Sequence, residues 1–540
     1  LFVVLLGPAL LLGAGHVWRF AEHSRAALNF AYPLDGLEGT LLFEARLLRA
    51  GEALYQPLQP DRFISAPYQP LSYVALAFAE TFAYRGDAPP PDVTAGPIFQ
   101  PGRTVSLIGM LAAGLFAGLA AWQLSRQFVV LPLLLLLWLG FAPVQLWATR
   151  IKPDPLALAL SAAVLLTAMF AITAERARRG WLSAAAVLAA LAFFSKQTAL
   201  AAPLAVLATL LLLWLRAGRQ QRHRHFPSEL AWFGGMYAGL VGLGVLGLQL
   251  ATGGQYAAHV WGLHRTEWWS YGLFRKYFDL MLYNWPLLLA GFAVLLPAWL
   301  AFRRRELPAG WLLLALYVGV AVPTLLAAGA EGAHHNHLLE PYLALSVAAS
   351  ALVGLTQSAE RLSAKRKLVA RGSVDCVPET SSTIRAGRRP GWLGGLGVLA
   401  LLLIMAQLWM LRERPAWYGG EFDFAQQERS QFIRLIQSQP GEVLADDVAL
   451  LLAAGRPLRY DDPSTMGPAI RSGIWNQQNL LDEVAAQQFD IILLPFDATR
   501  LDRDPSGRWT EEFIVVLREH YELRYRDVLF TYVPRSATQG

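Results

Sequence analysis

Two apolar runs, 129–147 and 200–215, constrain this chain more than any other feature. In hydrocarbon every backbone N–H and C=O must be satisfied inside its own segment, so runs of about this length are read as membrane helices. Composition agrees. Of 540 residues, 55% are hydrophobic and 16% charged, where a soluble protein has about a quarter of its residues charged. The mean hydropathy is +0.35. The expected fold class is an α-helical polytopic membrane protein.

After a first apolar stretch at the N-terminus, further spans are expected at 103–123, 128–148, 154–173, 180–195, 197–215, 230–251, 278–301, 309–328, 335–357 and 392–411, about eleven in all. The loops between them alternate in charge. One set carries Arg126, then Arg176, Arg178 and Arg179, then Arg216, Arg219, Arg222 and Arg224, then Arg303 to Arg305, and last Arg361 to Lys367 with Arg388 and Arg389. The positive-inside rule puts this set in the cytoplasm. The other set then faces outward: 20–102, 149–153, the turn at Ser195-Lys196, 253–277, 329–334 and everything after 411. The net charge of +6 is thus accounted for by topology, and nucleic acid is not an expected partner. Localisation in the cell (plasma or inner) membrane, multi-pass, follows.

The start at Leu1, without methionine, reads as truncated. The segment 2–17 with Gly13-Ala14-Gly15 weakly imitates a signal peptide, but no basic stretch precedes it, so it reads as a retained span. Cys376 is the single cysteine, which excludes an intrachain disulfide and a cysteine-built metal site. Segment 67–83 is apolar but short and interrupted by Pro67 and Pro70. It is expected as an interfacial or re-entrant helix beside another at 38–50. The expected domains are 1–357, a transmembrane unit with a large first outer loop at 20–102; 358–391, a basic cytoplasmic connector; 392–411, a last span; and 412–540. That tail regains charge and reads as a small extracytoplasmic α/β domain. Its strands are expected at 442–444, 458–461, 490–494 and 528–533, its helices at 424–437, 448–454, 480–488 and 511–520.

The chemistry-bearing residues lie in the outward set. Asp35 and Glu38 are three apart and share a face if their turn is helical. A carboxylate over a cavity at a membrane surface suits a general base; a helix cap or a solvated loop acid is the plainer reading. Arg150, Lys152 and Asp154 follow one span, Lys196-Gln197 divides two, and His334, His335, Asn336, His337 and Glu340 open a third. Ionisable groups at a membrane edge snorkel, pair or line a wet cavity. Together these cations suit a lipid-linked phosphate. Lys196 is equally a snorkelling lysine, and Arg150 and Lys152 also fit topological or pairing roles. Adjacent histidines do not share a helix face, so the His334–His337 run does not read as a metal site, and His337 or Asn336 is the better hydrogen-bond donor to a phosphate or sugar. Loop 253–277 places Arg265 beside Trp268, which fits an aromatic belt or a sugar-phosphate contact. Asp446-Asp447, Asp461-Asp462 and Trp475 in the tail read as caps and turn residues or as acceptor contacts.

In order along the chain stand Asp35-Gly-Leu-Glu38-Gly39, Ala45…Leu48…Gly51…Leu54-Tyr55, Pro67-Tyr68-Gln69-Pro70-Leu71…Tyr73, Gly102-Arg103…Ser106, Arg150…Asp154…Leu156, Lys196-Gln197 and Asn336-His337-Leu338-Leu339-Glu340. Over roughly 1–357 this order resembles the GT-C membrane glycosyltransferases, in particular the family 39-like and protein O-mannosyltransferase-like enzymes of bacteria. The resemblance implies transfer of a hexosyl or pentosyl group from a polyprenyl-phosphate donor to a glycan, lipid or protein acceptor on the outer face, with inversion. A first-loop carboxylate would be the base. Relatives often have adjacent Asp-Glu there, whereas here Gly36-Leu37 intervenes. The role is therefore open between Asp35, which is favoured, and Glu38. The resemblance also makes Lys196, Arg150, Lys152, Arg265 and His337 candidate donor-phosphate ligands, and Tyr68, Asp154, Asn336 and Trp268 candidate substrate contacts. Some such enzymes use a divalent cation and others do not, and the sequence leaves that open. A lipid or solute transporter or flippase with an outer binding domain, and a membrane scaffold, are the alternatives. A transporter would place ionisable groups or broken helices near the bilayer midplane, whereas here the charges stand at the edges.

Overall fold

A computed structural model describes residues 2–173, 177–216, 226–263, 269–303, 307–330, 332–370, 392–412 and 421–535. The chain opens with α1 (Phe2–Asn29), followed by α2 (Gly36–Arg49) and α3 (Pro70–Ala83) in the first loop. Then come α4 (Gln100–Ser125), α5 (Val130–Trp138), α6 (Ala142–Trp147), α7 (Asp154–Thr173), α8 (Arg178–Ser195) and α9 (Ala201–Arg216). The remaining bundle is built from Phe226–Ala251, Trp285–Phe292, Leu295–Arg303, Gly310–Ala321, Leu339–Ala370 and Trp392–Met410.

Every segment expected to span is helical. By length and composition, eight helices among the described residues can cross a membrane: Phe2–Asn29, Gln100–Ser125, Asp154–Thr173, Ser228–Ala251, Trp285–Arg303, Gly310–Gly329, His335–Thr356 and Trp392–Met410. α9 is apolar but shorter. The stretch expected as one span at 128–148 is broken, because Phe141 is extended (φ −74°, ψ 132°) before α6. Pro143 follows in the first turn of α6, where a missing N–H leaves no helical bond unmade.

The two sets of loops separate to opposite ends. At one end Arg178 pairs with Glu229 at 3.1 Å, and Arg216 donates to the Ala301 carbonyl at 2.6 Å. At the other, Ser72 donates to the Ser195 carbonyl (2.6 Å), Tyr256 to Gln69 (2.6 Å) and the Ile151 amide to Glu38 (3.1 Å). The loops that charge alternation assigned to one side therefore touch one another. α3 turns Val74, Phe78 and Phe82 outward, the face an interfacial helix gives to lipid.

The tail forms a four-stranded sheet in the order β1-β2-β4-β3: β1 (Glu442–Ala445), β2 (Phe489–Leu494), β3 (Tyr521–Arg526) and β4 (Phe530–Pro534). β1 and β2 are parallel, with Leu444 opposite Ile492; β4 is antiparallel to both β2 and β3. The expected helices appear as Glu421–Gln437, Val448–Ala453, Gln478–Ala485 and Glu511–His520. Three elements differ from expectation. β3 is an addition: Tyr521, Leu523 and Tyr525 alternate with Glu522, Arg524 and Arg526, but no turn residue separates them from the helix that ends at His520. Residues 458–461 do not join the sheet; instead Tyr460 bridges Phe63 of the first loop. Pro463–Arg471, capped by Asp462, is a further helix despite two prolines. The connector 358–391 is helical as far as Ala370, and the rest of it lies outside the described residues.

The tail and first loop share one apolar core, in which Leu41, Leu42 and Tyr73 pack with Ala445, Leu450 and Leu493. α2 lies against the helix Val448–Ala453 so closely that a Cβ on Gly39 would stand 2.4 Å from Ala449 Cα. Only glycine permits that approach.

Candidate functional site

The two first-loop acids point different ways. Asp35 caps α2 and accepts from the Glu38 amide (3.2 Å), so the plain reading as a cap holds for it. The same carboxylate also meets Lys152 Nζ at 3.1 Å (Oδ1) and 3.0 Å (Oδ2), and Arg150 at 3.5 Å. Its side chain retains 24% exposure. Burial works against its ionisation, but Lys152 and Arg150 prevail and hold the carboxyl below its ordinary range.

Glu38 turns inward and is fully buried against Arg103, also fully buried. Its Oε1 accepts from Arg103 Nε (3.0 Å) and the Ile151 amide (3.1 Å), and its Oε2 from Arg103 (2.8 Å) and the Leu34 amide (2.7 Å). A carboxylate has about four acceptor positions, and all are in use. Arg103 spends its other N–H groups on the carbonyls of Ala27 (2.8 Å), Phe30 (2.6 Å) and Tyr32 (2.6 Å). This buried pair ties the end of α1, the start of the first loop and the loop 149–153 to one point. It thereby sets where Asp35, Arg150 and Lys152 meet.

Around Asp35 stand groups from three other segments. Trp147 at the end of α6 carries Lys152 Nζ 6.0 Å from its ring and faces His334 at 6.3 Å. Burial, with Lys152 also near, depresses the His334 imidazole. From the tail, Asp447 Oδ1 stands 3.3 Å from where a Cβ on Gly36 would be, and Asp447 pairs with Arg429 at 3.2 Å. Burial and the charge of Asp35 raise the Asp447 carboxyl against the pull of Arg429.

A second polar nest lies where α7, the α8–α9 turn and the helix from Leu339 converge. Lys196 pairs with Asp154, and Asn336 donates to the same carboxylate at 3.1 Å. These three line a pocket with His337, Glu340 and Ser161. The predicted cations therefore fall into two groups, Arg150 and Lys152 on Asp35, and Lys196 with His337 about Asp154. Tyr68 is half-buried before α3, its carbonyl accepting from Tyr55 at 2.8 Å and its amide donating to Tyr73 at 3.2 Å. Arg265 and Trp268 lie outside the described residues. Among the described residues, no group of three or more His, Cys, Asp or Glu side chains is arranged to hold a metal ion.

Sequence reasoning named Arg103, His334 and Asp447 but did not place them at Asp35. Arg103 carried a signal, since a charge in the first turn of a long apolar helix must be paired. His334 was visible only within a histidine run whose other members drew the attention. Asp447 had none, because 412 residues separate it from Asp35.

A bundle of apolar helices whose loops on one side gather over two cation–carboxylate nests, closed by a C-terminal α/β domain, has the architecture of the GT-C membrane glycosyltransferases. The fold is that of ArnT from Cupriavidus metallidurans, solved with undecaprenyl phosphate bound (TM-score 0.53, 14% identity, 98% of each chain covered). The same enzyme in its apo state matches at TM-score 0.53 and 14% identity over 98% of this chain and 97% of that one. The archaeal oligosaccharyltransferase AglB from Archaeoglobus fulgidus, with an inhibitory peptide and a dolichol-phosphate, aligns at TM-score 0.49 and 10% identity over 97% and 75%. No protein-family model matches the chain, and no curated protein sequence does.

Proposed function

We propose that this protein is a glycosyltransferase that moves a sugar from a polyprenyl-phosphate carrier to an acceptor at the outer face of the membrane, with Asp35 as the base. The observation that carries the reading is Asp35 itself. It is a partly exposed carboxylate held at the meeting point of four outward segments, beside two cations of the kind a departing phosphate needs.

In the reaction, an acceptor O–H or N–H attacks the anomeric carbon from the face opposite the phosphate. The new bond forms as the bond from that carbon to the phosphate oxygen breaks. The electron pair leaves with the carrier, as polyprenyl phosphate, and the acceptor proton passes to Asp35. Displacement in line inverts the anomeric configuration. Glu38, having no free acceptor position, is a positioning residue that fixes the loop through Arg103. Arg150 and Lys152 hold the phosphate, Lys196 with Asn336 and His337 extends the cationic wall, and the tail closes the acceptor side through Asp447. The extracytoplasmic location of the tail rests on loop charge and on the contacts that place the tail on the first loop.

The test is to purify the full chain into lipid nanodiscs with a panel of polyprenyl-phosphate hexoses and pentoses and an outer-envelope extract as acceptor source. Protein-dependent release of polyprenyl phosphate supports the reading. Vectorial movement of the intact donor without release favours the transporter.

A further inference from the structure

The pocket about Asp154 runs into the bundle. Asp154, Ala157, Leu158 and Ser161 of α7 line it, and their spacing of three and four residues puts them on one helix face. Ser161 stands about 10 Å further along the helix axis than Asp154, at the usual rise per residue. The turn after α8 and the start of the helix from Leu339 close other sides of a cavity of about 80 Å³, several times what one water needs.

The lining keeps hydrogen-bonding capacity unspent. Ser161 is buried, and its hydroxyl has no partner among the described residues. Thr167 and Thr173 on the same helix return theirs to the carbonyls of Ala163 (2.8 Å) and Met169 (2.9 Å). Ser24, Ser346 and Ser350 also lack partners, but Ser161 is the one of the four that lines this cavity. A buried hydroxyl left unbonded is costly, and a ligand that completes it is favoured. Asp154 meets both Lys196 and Asn336 through Oδ1, with no donor on Oδ2 among the described residues. Within the same residues, Glu340 takes only the Tyr317 hydroxyl, at 3.5 Å.

These groups choose between two occupants. A phosphate oxygen only accepts, and here it would face two carboxyl groups and one ammonium that Asp154 already holds. A sugar hydroxyl donates to Asp154 or Glu340 and accepts from Lys196 or Ser161. The cavity also adjoins the Asp35 nest. Asp154 follows Lys152 by two residues, and His337 is within electrostatic reach of His334, itself within reach of Asp35 and Lys152.

We infer that this cavity holds the sugar of the donor, and that Ser161 is a specificity-determining residue that reads one of its hydroxyl groups. The inference rests on the transferase reading above and deepens it. With the phosphate on Arg150 and Lys152, the transferred group is a sugar that keeps the hydroxyl facing Ser161, and the corresponding deoxy sugar is rejected. A site built to bond a hydroxyl discriminates strongly against the analogue that lacks it.

The probes are the polyprenyl-phosphate sugar turned over in the panel above, its monodeoxy analogues, and undecaprenyl phosphate alone, each with the full chain in nanodiscs. Wild type should lose about fivefold to a hundredfold in kcat/KM on one monodeoxy analogue. Ser161→Ala should treat that analogue and the parent sugar alike, because the parent falls to the analogue's level. The variant removes no hydrogen bond within the described residues, so its thermal midpoint should match wild type, which separates lost recognition from lost folding. Undecaprenyl phosphate carries no sugar and should bind both proteins alike. If Ser161→Ala keeps the wild-type preference, the inference is overturned and the transferase stands. If the variant weakens undecaprenyl phosphate as much as the sugar donor, the cavity holds the carrier instead of the sugar, which also overturns it. If no polyprenyl-phosphate sugar is turned over, the transferase reading falls, and this inference with it.

Discussion

Glu44 of the first loop and Asp461 of the tail bury their carboxyl groups against each other within hydrogen-bond reach. The Ala66 amide and the Ser65 hydroxyl (3.1 Å) donate to Glu44 Oε1, and the Ser65 amide donates to Asp461 Oδ1 (2.9 Å). Among the described residues no N–H or O–H donates to Glu44 Oε2 or Asp461 Oδ2 within ordinary hydrogen-bond geometry, and the Tyr73 hydroxyl stands beside Glu44. One proton between them satisfies both, and two negative charges there would be costly.

That pair makes docking of the tail pH-dependent. Burial, with the charge of Asp462 added, pushes Glu44 up to about 7 from 4.5, and burial beside Glu44 raises Asp461 well above its ordinary value. A carboxyl whose folded-state pKa is raised contributes fully below its unfolded value, and the contribution is lost as pH climbs through the folded value. The thermal midpoint of the full chain should therefore fall between about pH 4.5 and 7, and Glu44→Gln should flatten that slope. An identical pH profile in wild type and variant would refute the shared proton.

Asp35→Asn should lower sugar transfer by about two to four orders of magnitude, the typical contribution of a general base, with membrane insertion intact. The check is single-turnover release of the carrier. Transfer at the wild-type rate would remove Asp35 from the base role.

Arg103→Ala should cost about 3–5 kcal/mol by stranding the fully buried Glu38 charge. Glu38→Gln should cost a comparable amount, since its amide N–H groups would face N–H donors and Arg103 would keep a buried charge without a counter-charge. Detergent-solubilised thermal unfolding measures both, and negligible losses would show that the pair does not hold the loop.

Lys196→Ala should raise the donor KM and cost about 1–3 kcal/mol of stability, because it leaves the largely buried Asp154 carboxylate with Asn336 as its remaining donor among those named here. An unchanged donor KM would confine Lys196 to its pairing with Asp154.

Gly39→Val should separate α2 from the helix Val448–Ala453, because a side chain there meets Ala449 Cα at 2.4 Å. Overpacking of this kind costs about 1–3 kcal/mol or more. Faster protease cleavage near residue 412 reports the undocking, and wild-type cleavage kinetics would contradict it.

How much of this was legible beforehand follows from the range of each interaction. Membrane helices and the grouping of their loops are read from local apolar length and charge, and the contacts of Ser72, Tyr256 and Glu38 join loops of one set to one another. Asp35, Lys152 and Lys196 were legible as candidates because a charge at a membrane edge has few reasons to be there. Their pairing was not, since nothing local shows that Lys152 chooses Asp35 while Lys196 chooses Asp154. The difference between Asp35 and Glu38 lies in a single turn: one residue caps the helix and looks outward, the other sits inside its first turn and meets Arg103 from another span. β3 was hidden because it follows the helix ending at His520 with no Gly, Pro, Asn or Asp between them to mark a boundary.

The pairing of Phe63 with Tyr460, in which the Phe63 amide donates to the Arg459 carbonyl at 2.8 Å and the Asp461 amide to the Phe63 carbonyl at 3.1 Å, bears on how this protein can be re-engineered. A chimera that grafts a foreign cap domain after the helix Trp392–Met410 would inherit neither a matching backbone partner nor a mate for Glu44. Successful swaps should therefore exchange 36–66 and 421–535 as one cassette, and recombination breakpoints within this lineage should spare the link between those two stretches.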